Sequence, residues 1–435
     1  MTTTPDRGLV AQARGIFKGV TIDPTPLRES RNFRLLLGGQ SINLVGNQIS
    51  MVAVPYQVFL ITHSSLAVGA LSLMQFLPLM CMYLIGGSLA DMVDRRRLML
   101  ITQTLLACTA ALLAVGAFLG HPPLWYIFAI AICAAGIQAV DNPTRRASIP
   151  RLVPRDQIAN ALSLNQILSQ LGQIAGPAVG GLLLAKAGFG TAYAVNFATF
   201  LVSIVAVSMM SPLPPEAGTG LRNPIGAIGE SFAFLRDKPI LLSNFVVDVN
   251  GQIFGLPKAL FPALATNVFR NGPAGLGLLY AAPGVGALLG AFLTGWIGRV
   301  RRQGRTVVIL VAIWGIAIAV FGLFTQFFWL GLLMLAVAGT ADMFSAVMRN
   351  TILQLVIPDR LRGRLSSVSM MTTTGGPRLG DAEAGAVATL TTPQFSVVSG
   401  GLLTVLGCVV VAFAIPVYWN WDAQAAVKYG ADPVA

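Results

Sequence analysis

From Leu98 to Val140 the chain carries no Asp, Glu, Lys or Arg. A helix needs about 20 apolar residues to cross the hydrocarbon of a bilayer, so this one stretch holds two crossings. Inside lipid every backbone N–H and C=O must be satisfied by the protein itself, which leaves helices or closed barrels. A barrel needs short segments of alternating polarity, and continuous apolar runs exclude it. Composition agrees: 55% of residues are hydrophobic and 11% charged, against about 25% charged in soluble domains. The fold class expected is an all-α membrane protein.

The same alternation of apolar run and charged turn continues along the 435 residues. It predicts twelve transmembrane helices, at 34–61, 66–90, 97–119, 123–143, 158–185, 190–211, 239–265, 273–298, 305–326, 329–352, 363–389 and 395–418. The net charge of +12 sits mostly in the turns Arg95–Arg97, Arg145–Arg155, Pro212–Lys238, Arg299–Arg305 and Asp359–Arg364. That is the positive-inside pattern, so the basic surplus reports topology and no nucleic-acid partner is expected. Both termini are expected in the cytoplasm. The opposite turns are nearly uncharged, Lys186 and Arg270 excepted.

The organisation expected is a cytoplasmic segment 1–33, a six-helix bundle 34–211, a linker 212–238, a second six-helix bundle 239–418 and a cytoplasmic tail 419–435. Segment 1–33 has no uninterrupted apolar core, so no cleavable signal peptide is expected. Arg14, Phe17, Lys18 and Val20 suit either a surface-lying amphipathic stretch or a disordered tail. The linker opens with Pro212-Leu-Pro-Pro, which stops a helix. Ile225, Ile228, Phe232, Phe234 and Leu235, interleaved with Glu230, Arg236 and Lys238, suit an amphipathic surface helix.

The two halves repeat. Gly69 matches Gly277, Gly87 matches Gly295 and Arg97 matches Arg305, each 208 residues apart; Pro154 matches Pro358 at 204. Gly176-Pro177-x-x-Gly180 matches Gly376-Pro377-x-x-Gly380 at 200. Parallel six-span repeats place a central cavity between the halves.

Residues Gly86 to Arg97 read GGSLADMVDRRR. This resembles the loop signature of the major facilitator superfamily, G-x-L-A-D-x-x-G-R-[KR], at Gly87, Leu89, Ala90, Asp91, Arg95 and Arg96. Asp94 stands where the second glycine is usual. A weaker copy lies at Gly295-Trp-Ile-Gly-Arg299. The resemblance implies a cytoplasmic gate in which Asp91 pairs with Arg95–Arg97 and steadies a helix terminus. Asp141, with Arg145, would belong to the same gate, either by pairing with Arg95–Arg97 or by a local pair with Arg145. Gly172, Gly176, Pro177, Gly180 and Gly181 resemble the antiporter signature of drug:proton exporters. Their alternative role is small-residue helix packing with a proline bend. The arginine usual in the fourth span of such exporters is absent.

Charges inside a membrane are expensive and mark functional sites by default. Asp248 lies about ten residues into its span, roughly 15 Å deep at 1.5 Å per residue. Asn244, Asp248 and Gln252 are spaced i, i+4, i+8 and share a face. Asp342 is similarly central, with Ser345 and Arg349 following on its face. The resemblance implies that the spans 34–61, 123–143, 239–265 and 329–352 line the cavity. Asp248 and Asp342 are therefore the proton-coupling candidates; a fixed ion pair, for instance Asp342 with Arg349, is the alternative. Lys258, Arg378, Asp381 and Glu383 lie in the outer halves of their spans, as an outer gate or a structural network. Gln40, Asn43 and Asn47, and Asn165, Ser169 and Gln173, form polar stripes that either bind substrate or join helices.

The four cysteines all fall in spans and read as free thiols. His63 and His121 have no ligand neighbours at metal spacing, so no metal site is expected. No phosphate-binding G-x-x-x-x-G-K-[ST] loop occurs, so ATP is not expected as the direct energy source; the resemblance implies a proton gradient as energy source and no cofactor. No nucleophile–base motif points to an enzyme.

VAVPYQV (52–58), LAVGALSL (66–73), GGSLAD (86–91), LYAAPGVGALLGA (279–291) and LRGRLSS (361–367) resemble bacterial siderophore exporters of the enterobactin-exporter type within that superfamily. The resemblance implies proton-coupled export of a siderophore or similar amphiphilic small molecule by a multi-pass protein of the bacterial inner membrane, working as a monomer in the bilayer. The alternatives are a broad drug:proton antiporter, a lysophospholipid flippase and a non-transporting membrane sensor.

Overall fold

The computed structural model describes residues 24–215, 235, 238–357 and 359–423, with the side chains of all of these except 84–91, 359–364 and 366–368. Eleven long helices carry the description. α1 spans Arg31–Thr62, α2 Ser65–Met92, α3 Arg95–Phe118, α4 Leu124–Leu152 and α5 Ile158–Ser208. α6 spans Pro239–Phe254, α7 Gly272–Phe292, α8 Gln303–Leu323, α9 Phe328–Val356, α10 Asp359–Leu390 and α11 Pro393–Ala414. Among the described residues nine helices are long and apolar enough to cross a membrane.

Local chemistry starts several of them. Ser30, Asp94 and Thr392 each cap a helix N-terminus by accepting from the backbone N–H three residues on, at 3.1 Å. These are residue types that suit the position. Asp94 thereby explains the missing glycine of the loop signature. It caps α3 and also accepts from Leu213 N at 3.1 Å, tying the end of the first half to the turn between α2 and α3. The apolar surface is large: Leu119, Leu390, Phe413 and Trp329 are among the exposed side chains, as lipid contact demands.

α5 runs 51 residues, about 77 Å at 1.5 Å per residue, so it cannot cross once. It is folded at Gly188, whose φ of 75° and ψ of −178° fall in a region open essentially to glycine alone. The fold lies between the predicted spans 158–185 and 190–211. The predicted continuous span 239–265 is corrected: α6 has 16 residues, too short to cross alone. The chain leaves the helix at Gly255-Leu-Pro257 and resumes in short turns from Lys258 to Val268. α10 is long enough to cross but is rich in Ser, Thr, Arg and Asp, so it is not among the nine. Most of segment 1–33, of the linker 212–238 and of the tail 419–435 lies outside the described residues.

α1–α5 pack on one another, and α6–α11 do the same. The two groups meet along two main seams, α2 against α10 and α5 against α7. Both seams are glycine crossings. A Cβ on Gly277 would lie 2.6 Å from the Pro177 carbonyl oxygen, and one on Gly181 2.6 Å from that of Pro273. In the other seam a Cβ on Gly69 would lie 2.6 Å from the Asp381 carbonyl oxygen, and one on Gly385 2.6 Å from that of Ser65. No side chain fits at any of the four. The quartets correspond at offsets of 208 (Ser65 to Pro273, Gly69 to Gly277) and 204 (Pro177 to Asp381, Gly181 to Gly385). The structural repeat of span 158–185 is thus one helical turn away from the Gly-Pro match at 200, and it agrees with the 204 offset of Pro154 and Pro358. Both seams lie toward the end that the charge pattern assigns to the outside.

Candidate transport site

α6 and α9 bring the two midplane aspartates to one guanidinium. Arg349 Nη2 lies 3.0 Å from Asp248 Oδ1 and 3.4 Å from Asp342 Oδ1. Its Nη1 donates to Ser345 Oγ at 2.7 Å, one turn back on its own helix. The side chains of Arg349 and Asp248 are 8% and 10% exposed, that of Asp342 39%. Gln252 Nε2 donates to Asp248 Oδ1 at 3.4 Å, as its i, i+4 spacing predicts. Asn244 donates to the Arg349 carbonyl at 3.3 Å and accepts from Tyr418 Oη at 3.0 Å. A single cation therefore sits between two carboxylates from two helices. With both carboxylates ionised, such a cluster carries one net negative charge.

The cluster faces a cavity of about 120 Å³. Asn244, Asp248, Gln252, Asp342, Arg349 and Asn350 line it, with Ser369 and Thr373 from α10. That volume is well below the roughly 300–1,000 Å³ of a drug-sized site. Gln40, Asn43, Asn47, Asn165 and Ser169 do not line it. Asn43 is fully buried and accepts from Asn47 Nδ2 at 3.3 Å, a contact within α1.

Part of the expected gate is described. Asp141 is fully buried; its Oδ2 lies 2.9 Å from Arg145 Nε, and its Oδ1 accepts from Thr102 Oγ1 at 2.7 Å. Of the two pairings open for Asp141, the local one forms. Arg95 instead donates to the Ala147 carbonyl at 2.6 Å. Arg96 donates to the carbonyls of Val207, at 3.2 Å, and of Ser208. The carbonyls of Val207 and Ser208 end α5, where positive charge is favoured. The side chains of Gly87 and Asp91 are outside the described residues, so the expected Asp91 pairing is too.

In the antiporter-like stretch, a Cβ on Gly172 would meet Leu44, one on Gly176 Gln48 and one on Gly180 Ile49. These three glycines let α5 lie close on α1. Gly181 and Pro177 belong to the seam with α7. Of the outer group, Asp381 is buried and accepts from Ser72 Oγ and Ala259 N, both at 2.8 Å. Arg378 donates to Gln75 Oε1. Lys258 opens the Lys258–Leu260 turn, and its carbonyl accepts from Tyr280 Oη at 3.2 Å. Glu383 is half-buried on the same helix.

Sequence reasoning missed the double partnership of Arg349, the contributions of Asn350, Ser369 and Thr373, and the Ser72 and Gln75 partners across the seam. One signal was available: Arg349 stands 204 residues after Arg145, at the offset the structure shows.

The chain matches the family described as transmembrane secretion effector over residues 23–435. It is 27% identical to the enterobactin exporter of Citrobacter koseri over 376 residues, covering 86% of this chain and 90% of that protein. It is 29% identical to the enterobactin exporter of Salmonella typhi over 382 residues, with the same coverages. Among solved structures, a bacterial homologue of the lysosomal transporter Spinster, inward-facing and unoccupied, matches with a TM-score of 0.69 at 14% identity, over 93% of this chain and 98% of that one. A bacterial homologue of the iron transporter ferroportin, inward-facing, matches with a TM-score of 0.67 at 15% identity, over 88% and 98%. The helical architecture, its apolar surface and these likenesses lead to one conclusion: the chain is a multi-pass membrane transporter, not an enzyme, and belongs to the transmembrane secretion effector family of the major facilitator superfamily.

Proposed function

We propose that the chain exports a siderophore or similar amphiphile across the bacterial inner membrane by alternating access, driven by proton uptake at the Asp248–Arg349–Asp342 cluster. The carrying observation is the sharing of one buried guanidinium by two carboxylates on separate helices. A proton on Asp342 leaves Arg349 still paired with Asp248, so the cluster alternates between two charge states without stranding the cation. Asp342 is the exchanging group: both carboxylates line the cavity, but its side chain is 39% exposed against 10% for Asp248. Asp248 is the standing counter-ion. Protonating Asp342 releases a contact within α9 and leaves Arg349 to Asp248 alone, so the charge that binds α6 to α9 changes with the proton.

The 120 Å³ cavity holds the coupling chemistry and not the whole of an amphiphilic substrate. Substrate binding then requires a wider opening between the halves on the cytoplasmic side. Contact of the halves at the outer seams supports an inward-open state, as does the inward-facing condition of both structural neighbours. The names of the relatives support a siderophore, and the positive-inside turns support cytoplasmic termini. We take the working unit to be the monomer in the bilayer, with no cofactor.

The test uses inside-out vesicles carrying the protein, an imposed proton gradient and a labelled catecholate siderophore. Gradient-driven uptake is expected, lost in Asp342→Asn and strongly reduced in Asp248→Asn. Uptake that ignores the gradient would overturn proton coupling. Uptake of lipophilic drugs without siderophore would overturn the substrate assignment.

A further inference from the structure

α6 ends at Phe254, and the chain leaves the helix before the Lys258–Leu260 turn. A break at membrane depth frees backbone groups that the protein itself must satisfy. The Gly255 carbonyl accepts from Trp314 Nε1 at 2.7 Å. Ala259 N donates to Asp381 Oδ1 at 2.8 Å. The other Asp381 oxygen accepts from Ser72 Oγ at 2.8 Å, on α2 of the opposite half. One turn away Arg378 donates to Gln75, also on α2. Ser72 and Gln75 are three residues apart on one helix, as are Arg378 and Asp381 on the other. Two polar rungs thus cross the α2/α10 seam.

The repeat-related seam has none at these positions. At the structural offsets, Ser72 and Gln75 become Tyr280 and Pro283, while Arg378 and Asp381 become Ile174 and Pro177. Neither Ile nor Pro has a side chain able to hydrogen-bond. Tyr280 Oη donates to the Lys258 carbonyl, at 3.2 Å, within its own half. What joins α5 to α7 there is the close backbone approach of Gly181 and Gly277.

We propose that the two outer seams do different work: α2/α10 is the side that opens, latched by Ser72–Asp381 and Gln75–Arg378, and α5/α7 is the pivot. Hydrogen bonds between buried groups are directional and are lost when the helices separate. Apolar backbone contact between small residues permits rotation without breaking a specific bond. Asp381 is a positioning residue: it does not line the cavity, but it ties the broken end of the segment carrying Asp248 to the opposite half. The proposal rests on the alternating-access reading.

Ser72→Ala with Gln75→Ala removes both rungs from the α2 side and leaves the Asp381–Ala259 bond intact. Hydrogen–deuterium exchange of the full chain in lipid nanodiscs, without substrate, reads the result. Exchange should rise severalfold over 65–75 and 381–390, stay unchanged over 177–184 and 273–280, and fall over 350–357 as the opposite ends close. A rise at 65–75 without protection at 350–357 would mean local loosening only and would overturn the latch. An equal rise at both seams would overturn the division of labour. Should the double variant not fold, Ser72→Ala alone must show the same pattern more weakly. Absence of transport by the unaltered protein in the vesicle assay would sink the transport reading and leave the exchange result standing.

Discussion

Arg349→Met is the perturbation that most directly probes the cluster. At an effective dielectric of about 20, pairs at 3.0 and 3.4 Å correspond to about 5.5 and about 4.9 kcal/mol, so distance scarcely separates the two carboxylates. Solvent does. The Asp248 side chain is 10% exposed and that of Asp342 39%. An exposed pair is worth about 1 kcal/mol or less, whereas stripping the partner from a buried charge costs about 3–5 kcal/mol. Double-mutant cycles isolate each pair. The cycle of Arg349→Met with Asp248→Asn should give a coupling of about 3 kcal/mol; that with Asp342→Asn should stay below about 1 kcal/mol. Unfolding free energies from steric trapping in bicelles supply the values. Equal couplings, or a larger one for Asp342, would refute the assignment of Asp248 as standing counter-ion.

Gly277→Val places its first side-chain carbon 2.6 Å from the Pro177 carbonyl oxygen; export should fall at least tenfold, and full activity in the vesicle assay would contradict the seam geometry. Gly188→Ala forces a side chain into a backbone region open essentially to glycine, at about 1–3 kcal/mol, measurable as a lower unfolding temperature. Asp94→Ala removes the α3 cap and should destabilise by about 1–2 kcal/mol, while Asp94→Ser should recover most of it.

Most helix positions were legible because lipid imposes a simple demand, a long apolar run closed on itself. Departures come where a run conceals tertiary chemistry. The break after Phe254 lies inside an apolar stretch, and its freed groups are satisfied by Trp314 and Asp381, residues far off in sequence. Gly-Pro-x-x-Gly occurs in both halves, yet the seams align Pro177 with Asp381, because helix contacts and not matching letters set the register. Asp141 pairs with its neighbour Arg145, while Arg95 and Arg96 donate to backbone carbonyls of α4 and α5. The link from Asp248 to Arg349 joins helices about a hundred residues apart, and no spacing rule reaches across that distance.

The repeat also shows how the two halves use one arginine differently. At the 204 offset Arg145 corresponds to Arg349 and Asp141 to Ser345. In the first half the arginine finds its carboxylate one turn back on its own helix, and Thr102 takes the other oxygen. That pair is complete, buried and confined to α3 and α4. In the second half a serine stands in that place, so Arg349 draws its negative charge from Asp248 on α6 and from Asp342 two turns back. The guanidinium then depends on the relative position of two helices, and both of its carboxylates line a cavity. A duplicated arginine is thus a local brace in one copy and an inter-helix contact able to respond to protonation in the other. The exchange of Asp for Ser one turn before it is what separates the two.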